Sequence, residues 1–454
     1  MDVWPHTGRA LPWLLAAFLA MLFLVPVAGV KFDVPTPIAA TPDRVLIVVM
    51  AIAWIMASLR GPVGPKLQRP VLFLASIGVF LAVVCASLAL NAAEIARAEL
   101  VSITQGRVVM LAGFAFVAVY AASVVRPAEV RNFGLLLVVL ASAMAFGVIA
   151  ERRIGVNVFY EVIAKPLTAV ASVLPTPTET NPDPALADRK VIVGPTEHGL
   201  AVTAMLALVM PFAIAGLTRA RGGTRWWYAL SIALMLGGAL STERKTGVVA
   251  PVVAGLVFVA YRPRLVVRMV PLLLVMLAFI KVTAPGALGT VTELASATTS
   301  TSTAGRSDDF SAITPELLAH PLIGSGYGSR DIARIYEVRI LDNEYLGVML
   351  TVGLVGVAAF LALILASAVI AHPLARARDG LRSDLALAGS ASCFVFLVVN
   401  ALFDSLSFSQ VPYLFFLIAG LVTVLASREP APAPARAPQP AEPAARGRMP
   451  LGAT

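Results

Sequence analysis

Apolar runs recur along the chain, separated by polar connections, at 11–30, 45–59, 71–90, 108–125, 133–150, 199–218, 226–240, 246–261, 269–283, 345–372, 385–402 and 411–427. A helix needs about 20 apolar residues to cross a hydrocarbon core of roughly 30 Å. Backbone inside lipid must satisfy its own hydrogen bonds. The runs are too long and too uniformly apolar for barrel strands, which alternate with period two. The pattern therefore predicts an all-α membrane protein with about twelve transmembrane helices. The first run, preceded by Arg9, also has the form of a signal peptide. The charge pattern works with it as a retained span.

Composition agrees. The chain is 58% hydrophobic and 13% charged, against about 45–50% and about 25% in soluble domains. That excludes a water-soluble globule. The formal charge is +9, and its distribution decides what it means. With the N-terminus in the cytoplasm, the inner connections 60–70, 126–132, 219–225, 262–268 and 373–384 carry 14 Lys/Arg against 3 acids. The outer connections 31–44, 91–107, 151–198, 241–245, 284–344 and 403–410 carry 15 Lys/Arg against 20 acids. This is the asymmetry that topology rules demand. Both termini are expected in the cytoplasm, the two long loops 151–198 and 284–344 outside, and no nucleic-acid partner. Residues 1–428 form one polytopic membrane domain, and 429–454 a disordered Pro/Ala-rich cytoplasmic tail.

Cys85 and Cys393 lie inside apolar runs, so neither a disulfide framework nor a zinc site is expected. His6, His198, His320 and His372 lack metal-ligand spacing. No metal or cofactor is expected.

The candidate chemistry crowds the outer connections. The turn 241–245 reads Ser-Thr-Glu-Arg-Lys, with Thr246-Gly247 opening the next span. Charge near mid-bilayer is expensive, so Arg244 and Lys245 belong at a boundary or in a wet cavity. The first long loop ends Asp188-Arg189-Lys190-Val191-Ile192-Val193-Gly194-Pro195-Thr196-Glu197-His198-Gly199. Its bases precede a helix start, where free N–H groups favour an anion, and Thr196 fits as the N-cap. The second long loop holds Gly305-Arg306-Ser307-Asp308-Asp309, an amphipathic stretch from Phe310 to Ala319, and His320-Pro-Leu-Ile-Gly-Ser-Gly-Tyr327-Gly328. Arg330 to Leu341 is expected to be helical. Asp342-Asn343-Glu344-Tyr345-Leu346 then opens the tenth span, followed by Gly353-Leu354-Val355-Gly356. The glycine-rich turn lacks a Walker lysine and a preceding strand, so it is no P-loop. Asp342 also fits as the N-cap of the tenth span.

These pieces in this order resemble the O-antigen ligase and polymerase superfamily of membrane glycosyltransferases. The likeness rests on STERKTG, on Gly305-Arg306 with HPLIGSGYG, and on Asp342-Asn343-Glu344-Tyr345-Leu346 with GLVG; its core runs over about 189–360. It implies transfer of a glycan from a polyprenyl diphosphate carrier to an acceptor hydroxyl at the outer face of the cytoplasmic membrane. The acceptor would be a sugar or another lipid-linked unit, and no metal would be needed. Arg189, Arg244, Lys245 and Arg306 would bind the diphosphate, with Arg244 and Lys245 unranked. Asp342 stands where the family has histidine and would act as base, with Glu344 as its backup. That departure favours a polymerase, or a transferase for another envelope polymer, over a lipid A core ligase. His198, His320, Tyr327 and Tyr345 are possible glycan contacts. The rival reading is a transporter or flippase of lipid-linked oligosaccharides. It predicts paired charges near mid-span, whereas Lys281 alone lies well inside a predicted span.

Overall fold

The computed structural model describes residues 10–34, 39–61, 70–169, 171–173, 191–244, 246–264, 278, 313–329, 342–377 and 380–427. Its helices are α1 (Ala10–Leu24), α2 (Pro42–Leu59), α3 (Val71–Leu90), the short α4 (Ala92–Arg97), α5 (Val101–Val124), α6 (Val130–Ile154), α7 (Gly199–Arg219), α8 (Gly223–Ser241), α9 (Thr246–Tyr261), α10 (Glu344–Ala377), α11 (Gly380–Leu402) and α12 (Gln410–Ala426). Among the described residues seven helical segments are long and apolar enough to cross a membrane, and α1, α9 and α12 are shorter apolar helices. The protein is an all-α membrane protein. The predicted span 269–283 apart from residue 278, the helix expected at 330–341 and the tail lie outside the described residues.

Helices α7 and α12 are buried along most of their length and form the centre with α5, α6, α10 and α11. Helix α2 lies at the margin, with Val48, Ile52 and Ile55 exposed, as befits a lipid-facing position. At one end of the bundle Asp384 of α11 pairs with Arg219 of α7 and, at 3.4 Å, with Arg262 after α9. Three of the connections read as basic and inward-facing thus meet at the same end.

The first span stops earlier than expected, at Leu24 rather than 30. Pro26 has no N–H to offer the Leu22 carbonyl. Gln410 at the start of α12 takes that role, its Nε2 donating to Leu22 O at 2.8 Å. The chain then turns into a two-residue strand, Val30–Lys31, paired antiparallel with Ser172–Val173. Helix α5 starts seven residues earlier than the predicted span, which places Arg107 on the helix itself.

The most informative local feature is a break in α10. Gly353 has φ +78° and ψ −175°, so the helix cannot continue its ladder through it. Four backbone groups lose their helical partners there, and each finds a new one in the glycine-rich turn. Leu354 N donates to Pro321 O at 3.0 Å and Val355 N to Leu322 O at 3.3 Å. In return Ser325 N donates to Leu350 O at 3.0 Å and Gly326 N to Thr351 O at 2.9 Å. The exchange leaves none of these groups unpaired, as backbone energetics favours. The C-terminal part of α3 fastens the join. Ser87 Oγ lies 2.7 Å from Ile323 O and 3.0 Å from Thr351 O, and Asn91 Nδ2 donates to Gly324 O at 3.0 Å. The approach is so close that a Cβ on Gly324 would sit 2.4 Å from backbone of Thr351 and Val352, and one on Gly353 2.2 Å from Leu322. HPLIGSGYG and GLVG are therefore two halves of one structural device.

Candidate functional site

The end of the bundle opposite Asp384 gathers most of the described candidates. Helix α10 opens there. Asn343 Oδ1 accepts from Tyr345 N at 3.0 Å and Leu346 N at 3.4 Å, so Asn343 is the N-cap and not Asp342 as the sequence suggested. An amide side chain satisfies the same free N–H groups a carboxylate would. Asp342 is exposed, one residue outside the helix. Glu344 is buried, 7% exposed, and its Oε2 accepts from Leu406 N at 2.8 Å. Leu406 lies in the tight turn Ser405–Ser407 between α11 and α12. Ser405 anchors that turn by donating to Asn400 Oδ1 at 2.7 Å.

Asp404 begins the same turn. Burial raises its proton affinity and the neighbouring Asp342 carboxylate adds to this, while a hydrogen bond from Ser407 and the charge of Arg107 oppose it. Arg107 reaches the turn from α5, donating to Ser407 Oγ at 3.3 Å.

On the other flank, α8 ends in the STERK turn. Glu243 adopts φ +56° and forms an ion pair with Arg152 of α6. Arg244 lies beside the start of α7, where a Cβ on Gly199 would be 3.8 Å from its Cγ. His198 caps α7, its Nδ1 accepting from Leu200 N at 3.1 Å. Thr196, expected in that role, instead donates to Val193 O and His198 O, each at 2.8 Å. Burial, and secondly the charge of Arg244, push the His198 pKa down to about 4. The ring is therefore neutral at physiological pH, in keeping with Nδ1 as an acceptor.

The turn after α11 joins the two flanks. The Phe408 ring centroid is 5.6 Å from that of His198, while Leu406 holds Glu344. Glu197, next to His198, lies in the field of Arg107, Arg44, Lys31 and Asp43. Arg244, His198, Asp342, Glu344, Asp404 and Arg107 thus occupy one end of the molecule.

The remaining candidates differ in their settings. Tyr327 is buried, 7% exposed, within the field of Glu344 and Arg107. Tyr345 is half-buried and its hydroxyl donates to Leu397 O at 2.6 Å. His320 is exposed at the end of the helical stretch 313–319, which packs Ile313 against Leu346 and Leu350. Arg189, Lys245 and Arg306 lie outside the described residues. Among the described residues no three His, Cys, Asp or Glu side chains are grouped to hold a metal ion.

Residues 230–361 match the family model described as O-Antigen ligase. Over this segment the chain is similar to the O-antigen ligase family. No curated protein matches it. The O-antigen ligase segment runs from α8 to the middle of α10 and holds Arg244, Lys245, Arg306, the glycine-rich turn, Asp342 and Glu344. Arg107, His198 and Asp404 reach the site from outside it. Sequence reading passed over Arg107 and Asp404. Their signals were an arginine at the edge of an apolar run and a lone acid between two spans.

Proposed function

We propose that this protein is an integral membrane glycosyltransferase of the O-antigen ligase type. It moves a glycan from a polyprenyl diphosphate carrier to an acceptor hydroxyl at the outer face of the cytoplasmic membrane, in the synthesis of an envelope or exported polysaccharide. The observation that carries this reading is the shared location of the two polar ends of the O-antigen ligase segment. Arg244 at its start and Asp342 with Glu344 towards its end are linked through His198, Phe408 and Leu406.

The chemistry follows from the groups present. The acceptor oxygen attacks the anomeric carbon, and the bond from that carbon to the diphosphate oxygen breaks. The leaving diphosphate gains charge, which arginine stabilises well because its planar fork bonds two oxygens at once. Arg244 takes this role, joined by Lys245, Arg189 and Arg306. The proton of the acceptor hydroxyl goes to Asp342, which is exposed to an incoming substrate. Glu344, held by Leu406 N, orders the neighbouring turn and is the reserve base. The excess of Lys and Arg in the connections at the opposite end turns the site outward.

Purified protein in liposomes, given a polyprenyl diphosphate-linked oligosaccharide and an acceptor glycan, tests the proposal. Wild type is expected to form an extended glycan and free polyprenyl diphosphate, and Arg244→Ala to lose both. Donor carried across the bilayer intact, with no new glycosidic bond, would replace this reading with a flippase.

A further inference from the structure

Arg107 stands where four elements meet. From α5 it bonds Ser407 of the α11–α12 turn at 3.3 Å. Asp404 of that turn, Glu344 of α10, Tyr327 of the glycine-rich turn and Glu197 before α7 all lie in its field. Asp342 adds a further carboxylate beside Asp404. Beyond Glu197 stand Asp43, Arg44 and Lys31. The stem of Arg107 is held as well: a Cβ on Gly328 would come within 2.9 Å of Arg107 Cβ, so loop and helix are in close contact.

We infer that Arg107 is the positioning residue of this site, the cation that lets Asp404, Glu344 and Asp342 gather at one end of the bundle and that sets the turn 404–408 against both Glu344 and His198. A guanidinium bonded to Ser407 and lying in the field of several carboxylates is poorly disposed to accept a diphosphate as well. Arg107 therefore acts through the acids, and the diphosphate role stays with Arg244 and its partners. The catalytic consequence rests on the glycosyltransferase reading; the structural one does not.

Without this cation, like charges crowd together and hold protons more tightly. The carboxylate of Asp404 would then stay protonated to higher pH. Repulsion among the carboxylates would weaken the fold most where they are ionised, and acid would relieve it.

The test uses the full chain in detergent and in liposomes. Heat stability is measured from pH 5 to pH 8, and glycan transfer over the same range. Arg107→Gln is expected to melt well below wild type at pH 8 and close to it at pH 5. Its glycan transfer should fall furthest below wild type at pH 8, where the repulsion is greatest. Arg107→Lys should restore most of both properties. Adding Asp404→Asn to Arg107→Gln should recover heat stability at pH 8. A melting deficit equal at every pH, or no recovery in the double variant, would overturn the inference. If Arg107→Gln does not fold, the double variant and Arg107→Lys decide the matter by the same measure. Should wild type transfer no glycan, the functional proposal fails while the heat-stability arm still judges Arg107.

Discussion

Gly353→Ala should unlock the join between α10 and the glycine-rich turn. At φ +78° and ψ −175° only glycine is comfortable, and the new Cβ would meet the Leu322 carbonyl at 2.2 Å and Ile323 N at 2.3 Å. Those neighbours are backbone, so no side chain can swing away. Two costs combine. Holding alanine in this region costs of order 1–3 kcal/mol. Moving the turn away breaks four exchanged hydrogen bonds, each worth about 0.5–1.5 kcal/mol net. Their sum is roughly 3–9 kcal/mol if the turn is driven fully out, and nearer the lower figure if α10 straightens in part. The matched control is Gly78→Ala in α3, a helical position with nothing within 4 Å of the added carbon. It should change stability by no more than about 1 kcal/mol, and in the stabilising direction by helix propensity. Reversible unfolding in mixed micelles, followed by tryptophan fluorescence, gives the difference. Cleavage by added protease within 313–329 should rise in Gly353→Ala alone. If the two variants unfold within about 1 kcal/mol of each other, the exchanged ladder does not hold the turn and the reasoning fails.

Three further outcomes follow. The unfolded chain binds a proton at His198 near pH 6.5, whereas the folded chain binds it only near pH 4, so the stability due to this group is intact above pH 6.5 and is lost as pH falls towards 4. His198→Asn, which keeps a capping side chain, should flatten that part of a pH–melting curve. Asp384→Asn should lower unfolding free energy by about 1–3 kcal/mol, read by the same micelle assay, because Arg219 and Arg262 then lose their shared carboxylate. Asp342→Asn should slow glycan transfer by about 10²–10⁴-fold while leaving the melting temperature almost unchanged, since the side chain is exposed.

The bundle was largely legible in the sequence because apolar length is a strong signal. Helix ends were read less well, since they depend on contacts far along the chain. The end of α1 is set by Pro26 together with Gln410, nearly 400 residues away. The cap of α10 fell to Asn343 rather than Asp342, a choice between neighbours that propensity barely distinguishes. HPLIGSGYG and GLVG stood out as two motifs, yet their union is a tertiary fact, visible only when the positive φ of Gly353 meets Leu322. The site shows the same division. Arg244, Asp342 and Glu344 announced themselves as charges beside apolar runs. Arg107 and Asp404 carried that signal more faintly, and only the packing of α5 against the α11–α12 turn gives them a role.

The central claim is that cations and a carboxylate at one end of this bundle divide the work on a lipid-borne glycan between holding it and reacting it. Equilibrium binding of polyprenyl diphosphate to Arg244→Ala and to Asp342→Asn in nanodiscs, each compared with its turnover, tests that division most directly. The account predicts that Arg244→Ala loses affinity at least about tenfold, a change of about 1.4 kcal/mol. Asp342→Asn should bind as wild type does and fail to turn over. Equal affinity in all three proteins, or loss of binding in Asp342→Asn alone, would contradict it.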